Sequence, residues 1–261
     1  MNEKELFHLK INRKIFEKEH DINYAILPGD PARVDEIGKM LSGVKPLAYN
    51  REYKSLTGKT PMGTEILVCS TGIGGPSAAI AMEELNILGI ENFIRVGTCG
   101  GISLGVSGGD TVIATSSVRQ DGTSLQYAPI EFPATADFEI TESLVKAAET
   151  LFIHPHIGVI QCKDSFYGQH QPERMPVSEN LKEKWESWKK LNVLASEMES
   201  STLFCVASAL GLKAGTVLSV VWNQERANAG LPNGEIHDNT MAIKIAIRAI
   251  DIIENPSKWN K

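Results

Sequence analysis

A chain of 261 residues with 42% hydrophobic and 22% charged residues and a formal net charge of −6 has the make-up of a folded globular protein, not of a disordered, collagen-like or coiled-coil one. It is long enough to bury well over half of the surface its unfolded form exposes, so neither a disulfide nor a metal is needed to hold it together. No Lys/Arg cluster marks a nucleic-acid surface, and no apolar run approaches the roughly 20 residues of a membrane span.

The opening MNEKELFHLK is too charged for a signal peptide. Residues 22–27 (INYAIL) are predicted as a buried strand, followed by Pro28-Gly29-Asp30 and a helix over 31–41. Residues 65–70 (EILVCS) predict another strand, then a glycine-rich stretch and a helix opening at Pro76, where a missing N–H costs nothing. Strands are predicted over 90–97 and 110–117, separated by a glycine-rich turn, and over 157–160. Residues 178–191 read as an amphipathic helix with Ser178 as its N-cap. A short strand at 193–196, a helix over 198–210, a strand over 214–221 and a last helix over 238–253 complete the pattern. Strands alternating with helices predict an α/β fold with helices on both faces of a mixed sheet. Without a repeat or linker, residues 1–261 form one domain. Cys69, Cys99, Cys162 and Cys205 lie too far apart for a zinc site or a disulfide framework, and four free thiols suit the cytoplasm.

In such sheets ligands sit beyond the carboxyl ends of the strands, so the residues that follow each strand are the informative ones. Pro28-Gly29-Asp30-Pro31-Ala32-Arg33 places backbone N–H groups and an arginine at a helix N-terminus, a ready anion site. A plain strand–turn–helix with a solvated arginine would look the same. Arg95 is sharper: it stands inside an apolar strand (FIRVGT), where a guanidinium needs a partner, and it leads into Gly97-Thr98. An anion such as phosphate fits there. The glycines match neither a Walker A loop nor a Rossmann fingerprint, since no G-K-[ST] occurs and Ser77 stands where the last Rossmann glycine would be. ATP and NAD are therefore not expected. Glu197-Met198-Glu199 at a strand-to-helix junction is either simple helix capping or a seat for sugar hydroxyls. Phe166, Gln169, Gln171 and Arg174 combine a ring with amides and a guanidinium, suited to stacking on a planar base and reading its edge.

Taken together, PGDPARV (28–34), CSTGIGGPSAAIA (69–81), FIRVGTCG (93–100), SVRQDGTSLQYAPIEFPA (117–134) and SEMESSTL (196–203) resemble the nucleoside phosphorylase superfamily, and within it the uridine phosphorylases. The resemblance covers nearly the whole chain and implies a three-layer α/β/α fold. It also implies a reaction: inorganic phosphate attacks C1′ of a nucleoside and releases the base and ribose 1-phosphate. By the same resemblance, Gly29, Arg33, Arg95 and Thr98 bind phosphate, with Arg51 from a neighbouring subunit. Met198, Glu199 and Thr98 hold the ribose, with His8 from the neighbour on its 5′-hydroxyl. Phe166, either Gln169 or Gln171 (Gln171 preferred because it lies nearest Arg174), and Arg174 hold uracil, and Arg95, Glu199 and Arg174 are the expected catalytic set. Phosphate is then a co-substrate and no cofactor is required. Glu52, Ile73 and Ser77 match positions that hold a monovalent cation such as K+ between subunits in some relatives. A homohexamer, a trimer of dimers with shared sites, is implied as well.

Two departures bear on the base. Many family members carry a contiguous G-Q-x-R, whereas this chain reads Gly168-Gln169-His170-Gln171-Pro172-Glu173-Arg174. Purine-specific members carry an aspartate that protonates N7, whereas residues 221–226 (VWNQER) contain none. The alternatives are a purine nucleoside phosphorylase or a hydrolytic nucleosidase of the same fold. A hydrolase has no need of Arg33, Arg51 and Arg95. A catalytically silent nucleoside binder would be expected to have lost Arg95 or Glu199.

Overall fold

In the computed structural model, which describes residues 5–259, the chain begins with a short helix α1 (Arg13–Glu19) and enters the sheet as β1 (Tyr24–Pro28). All five residues of β1 are buried: Ala25 and Leu27 face one hydrophobic cluster and Tyr24 and Ile26 the other, so both faces of the strand are covered. Asp30 then caps α2 (Pro31–Gly38), its carboxylate accepting the Ala32 N–H at 2.8 Å. A hairpin of β2 (Ser42–Asn50) and β3 (Tyr53–Lys59) follows, then β4 (Glu65–Cys69) and α3 (Gly75–Ile87). The hairpin has no counterpart in the sequence reading. Its outer strand SGVKPLAYN is mostly exposed and is interrupted by Gly43, Pro46 and two register shifts, which erase any alternating pattern.

The centre of the fold is β5 (Asn92–Gly101), with β6 (Thr111–Gln120) after it. The expected glycine-rich turn at 97–101 is instead the second half of β5, which pairs to its end with later strands. A one-turn helix α4 (Ser124–Tyr127) and the two-residue β7 (Ala134–Thr135) lead into α5 (Phe138–Thr150). This helix was also missed, although its signal is present: Asp137 caps it by accepting the Ile140 N–H, and Ile140, Leu144, Ala147 and Ala148 form its buried stripe. Then come β8 (His156–Lys163), the short α6 (Phe166–His170), a 3₁₀ turn over Pro172–Arg174, and α7 (Ser178–Lys190). Ser178 is the first residue of α7 and not its cap, since Val177 occupies the cap position without a side-chain bond. The chain closes with β9 (Ala195–Glu197), α8 (Ser200–Leu210), β10 (Lys213–Asn223), a turn of helix α9 (Gln224–Asn228) and α10 (Thr240–Glu254). Helix α8 starts two residues later than predicted because Glu197 holds the N–H groups of Glu199 and Ser200 at its entrance.

The strands form one mixed sheet in the order β10-β6-β8-β9-β5-β1-β4-β3-β2, and β10 also pairs with β5. Five strands thereby close into a ring (β5, β10, β6, β8, β9), from which β1, β4, β3 and β2 extend as an open wing. Helices α3 and α8 pack on one face through Ala78, Met82, Leu203 and Phe204. Helices α2, α5 and α10 cover the other through Ile37, Ile140, Leu144 and Ile250. The chain is thus the expected three-layer α/β/α arrangement. Among the described residues no helix is long and apolar enough to cross a membrane.

Candidate active site

The parallel strands β1, β4 and β5 deliver their carboxyl ends to one region, as the strand-end rule requires. There the Gly72 N–H donates to the Gly29 carbonyl at 2.9 Å, tying the loop after β4 to the loop after β1. Arg33 projects from the first turn of α2, half-buried, and its guanidinium has no hydrogen bond or ion pair among the described residues. Burial lowers its pKa, and the neighbouring Arg95 guanidinium lowers it further. Two neighbouring cations favour an anion beside them.

Arg95 is 4% exposed and sits between two buried carboxylates. Its Nε donates to Glu197 Oε2 at 2.9 Å and its Nη2 to Glu199 Oε2, while its Nη1 is buried without a partner. Burial opposes its charge, but Glu199 and Glu197 outweigh that and hold its pKa above the ordinary arginine value. Glu197 is further held by the Glu199 and Ser200 N–H groups, whereas Glu199 has only the Gly74 N–H, at 2.6 Å. Gly74 reaches that position with φ 95°, a backbone angle that favours glycine. Burial pushes the Glu199 carboxyl above its usual range, Arg95 opposes this, and Glu197 adds to it. One guanidinium thus serves two acids.

Met198 lies beside Glu199 and lines an open cleft of about 570 Å³ together with Ile73, Gly74, Pro76, Thr123 and Asp164. Thr98 is half-buried on β5, opposite Ser219 of β10. Arg51 occupies the β2–β3 turn at φ 53°, exposed and without a described partner. The next residue, Glu52, packs on Gly72, where a Cβ would come within 2.8 Å of Glu52 Cγ and 3.3 Å of Ser77 Oγ. Glu52 and Ser77 therefore meet at the loop that carries Ile73, which is 80% exposed. His8 is held elsewhere on its own chain. Its ring Nδ1 lies 2.7 Å from Glu84 Oε1 on α3, and its carbonyl accepts from Asn50. No described contact joins His8 to Arg95, Met198 or Glu199.

The residues expected to read a base divide into two groups. Gln169 lines a second cavity of about 230 Å³ with Gln120, Gln161, Lys163, Trp185 and Trp188; Asp164 borders both this cavity and the cleft. Phe166 is half-exposed and stacks against His170, with ring centroids 4.4 Å apart. Gln171 and Arg174 line neither cavity, and the Gln171 carbonyl accepts from Arg174 Nη1. After β10, Asn223 caps α9 through the Glu225 and Arg226 N–H groups. Gln224 meets His170 at 3.1 Å, and Arg226 is bound to the carbonyls of Pro232 and Leu104. These side chains position the base loop and pin the chain after β10.

Two buried polar residues near the site were missed in the sequence. Lys163 ends the apolar strand β8 just as Arg95 interrupts β5, so the same argument would have found it. Asp121 accepts from Ser201 Oγ, from Thr202 Oγ1 at 2.7 Å and from the Ser124 N–H, joining α8 to the loop after β6.

Residues 23–253 match the profile of the Phosphorylase superfamily. A uridine phosphorylase of Treponema pallidum (strain Nichols) is 48% identical over 231 residues, covering 88% of this chain and 89% of that protein. A uridine phosphorylase of Escherichia coli (strain K12) is 40% identical over 254 residues, covering 95% and 98%. A guanosine phosphorylase of Halorubrum lacusprofundi is 39% identical over 238 residues, covering 88% and 93%. With a family match across almost the whole chain and relatives this similar over most of their length, the chain belongs to the phosphorylase superfamily.

Proposed function

We propose that this chain catalyses the phosphorolysis of uridine to uracil and ribose 1-phosphate. The observation that carries the reading is the proximity of Arg33, in the first turn of α2 after β1, to Arg95, which lies level with Leu27 near the end of β1, in a chain 40–48% identical to uridine phosphorylases over most of its length. Phosphate lies against the Gly29 loop, Arg33, Arg95 and Thr98, with Arg51 arriving from a neighbouring subunit. The unpartnered Arg95 Nη1 supports that assignment, because a buried guanidinium donor calls for an acceptor. Glu199 and Met198 hold the ribose, with the neighbour's His8 on its 5′-hydroxyl. That the His8 ring is bound to Glu84, away from Met198 and Glu199, agrees with a site shared between two chains.

In the reaction a phosphate oxygen forms a bond to C1′ as the C1′–N1 bond breaks, and the electron pair of that bond leaves with uracil. Phosphate stabilises the developing positive charge on the ribose. Donors at the base edge, from Gln169 or Gln171 and from Arg174, stabilise the anion of the departing base, and Phe166 stacks on it. Preorganised groups aimed at developing charge supply most of the acceleration, and no covalent nucleophile is required. The working assembly is a homohexamer built as a trimer of dimers, located in the cytoplasm. Glu52, Ile73 and Ser77 are assigned a monovalent cation such as K+ where subunits meet, a reading supported by their convergence around Gly72.

The test is uracil release from uridine with and without phosphate, with kcat/KM then compared across uridine, cytidine, inosine and guanosine. Uridine far ahead, and only with phosphate, is expected. Phosphate-independent release identifies a hydrolase, and a purine in the lead identifies a purine phosphorylase; either result overturns the reading.

A further inference from the structure

Two side chains that line the 230 Å³ cavity under α7, Lys163 and Gln169, are joined through the buried Ser196 into one hydrogen-bonded chain. Lys163 Nζ donates to Ser196 Oγ at 2.6 Å, and Ser196 Oγ donates to Gln169 Oε1 at 2.7 Å. Lys163 is 7% exposed and Ser196 2%, so neither bond is open to exchange with solvent. The direction of the chain follows from its first member. An ammonium carries only donors, so Ser196 must accept from it and has a single proton to pass on. The group that receives this proton is an acceptor, which fixes the Gln169 amide with its carbonyl toward Ser196. Its two N–H protons then point elsewhere.

We propose that Lys163, acting through Ser196, is a positioning residue that fixes Gln169 as a hydrogen-bond donor to a carbonyl oxygen of the base. The proposal rests on the reading of the α6 segment as the base loop. It also assigns the uracil contact to Gln169, which lines a cavity, rather than Gln171, which lines neither. Two consequences for the chemistry follow. A charged donor at the head of a hydrogen-bonded chain polarises each member, so the Gln169 N–H groups meet the growing negative charge on the leaving base as stronger donors. A donor held in one orientation also meets the substrate without reorganising, which is the condition for favouring the transition state over the ground state. Burial lowers the pKa of Lys163, while Glu197 and Glu199 nearby favour its charged form.

The rival explanation is that Lys163 serves only to neutralise Glu197. The variants Lys163→Met, Ser196→Ala, Gln169→Ala, Gln169→Glu and Lys163→Met/Gln169→Ala separate the two. Wild-type activity on uridine is measured first, since its absence would remove the base-site reading before the relay is tested. Lys163→Met and Ser196→Ala are each expected to lower kcat/KM for uridine about tenfold, the scale of one lost hydrogen bond, chiefly through kcat. The double variant should cost no more than Gln169→Ala alone, because all act through one amide. Gln169→Glu, which accepts from Ser196 but cannot donate to the base, should lose uridine activity at least as fully. Should Lys163→Met fail to fold, the Ser196→Ala and Gln169→Glu results decide. A silent Ser196→Ala, additive losses in the double variant, or a Gln169→Glu enzyme that retains uridine activity would overturn the relay.

Discussion

Replacing Arg95 with methionine removes the one cation bonded to both of two buried carboxylates, and the structure says how each will respond. Glu197 and Glu199 are 3% and 4% exposed, so neither can turn to water. Glu197 keeps the N–H groups of Glu199 and Ser200 at 3.0 and 2.9 Å and remains partly compensated. Glu199 keeps only the Gly74 N–H. Removing one partner of a buried ion pair costs roughly 3–5 kcal/mol, and Arg95→Met should destabilise the fold by that amount at pH 7. Glu199 limits the loss by taking up a proton. Its folded pKa already lies above the ordinary value through burial, and Arg95 is the group that opposes the shift, so the variant raises it further. A carboxyl with a raised folded pKa binds more protons in the native state than in the unfolded chain above about pH 4.3. Stability therefore falls as pH rises through that window, and the penalty of the variant relative to wild type should shrink between pH 7 and pH 5. Adding Glu199→Gln removes the charge and should restore part of the loss at pH 7. Urea unfolding at both pH values and fixed protein concentration measures all of this. A penalty below about 1 kcal/mol against that expectation, or one equal at the two pH values, would refute Arg95 as the counterion of both acids.

The remaining predictions concern the scaffold and the base loop. A Cβ at Gly215 on β10 would collide with Ile140 Cγ2 and lie 3.4 Å from Leu144 Cδ1, so Gly215→Ala should cost roughly 1–3 kcal/mol in thermal unfolding by pushing α5 off the sheet. Asp137→Ala removes the acceptor for the Ile140 N–H at the start of that helix and should cost about 1 kcal/mol, read the same way. Arg174 is exposed, and its one described side-chain bond is to Gln171, so Arg174→Ala should leave Tm unchanged. Its kcat/KM for uridine should fall by about 10²-fold, the effect of losing one preorganised donor, with no gain on inosine; equal loss on both nucleosides would deny it a role at the base.

The layers of this fold were readable because β1 and β4 are short continuous apolar runs and α3 is mostly apolar, and they are bounded by Pro28, Gly72 and Pro76. Arg95 was readable for the opposite reason: a charge inside an apolar strand has to be answered by something. The same rule applied to Lys163 and would have led to the Ser196 chain, but a lysine at the last position of a strand reads as a solvated end. Other features left no local trace. The outer strand β2 is exposed and irregular, so it carries no periodic pattern. The pairing of Gly100 and Gly101 with Ser196 and Ala195 joins residues nearly a hundred positions apart, and glycines that read as a turn are in fact strand residues held by distant partners. In sequence, nearness to Arg174 favours Gln171 over Gln169. What separates them is the hydroxyl of Ser196, which the fold places beside only one of the two.

Ring closure also sets an order of events when the chain is made. The strand that fills the slot between β5 and β6 is β10, the last of the ten to leave the ribosome. Until residues 213–223 emerge, β5 and β6 each present an unpaired edge, although the ladders of the wing and those joining β6, β8, β9 and β5 can already form. An unfinished chain is therefore held open at the strand that carries Arg95, where stray edge-to-edge pairing is most damaging. The phosphate-side residues of β5 can reach their final geometry only after synthesis has passed β10, so early termination leaves a sticky half-sheet and no partly working enzyme.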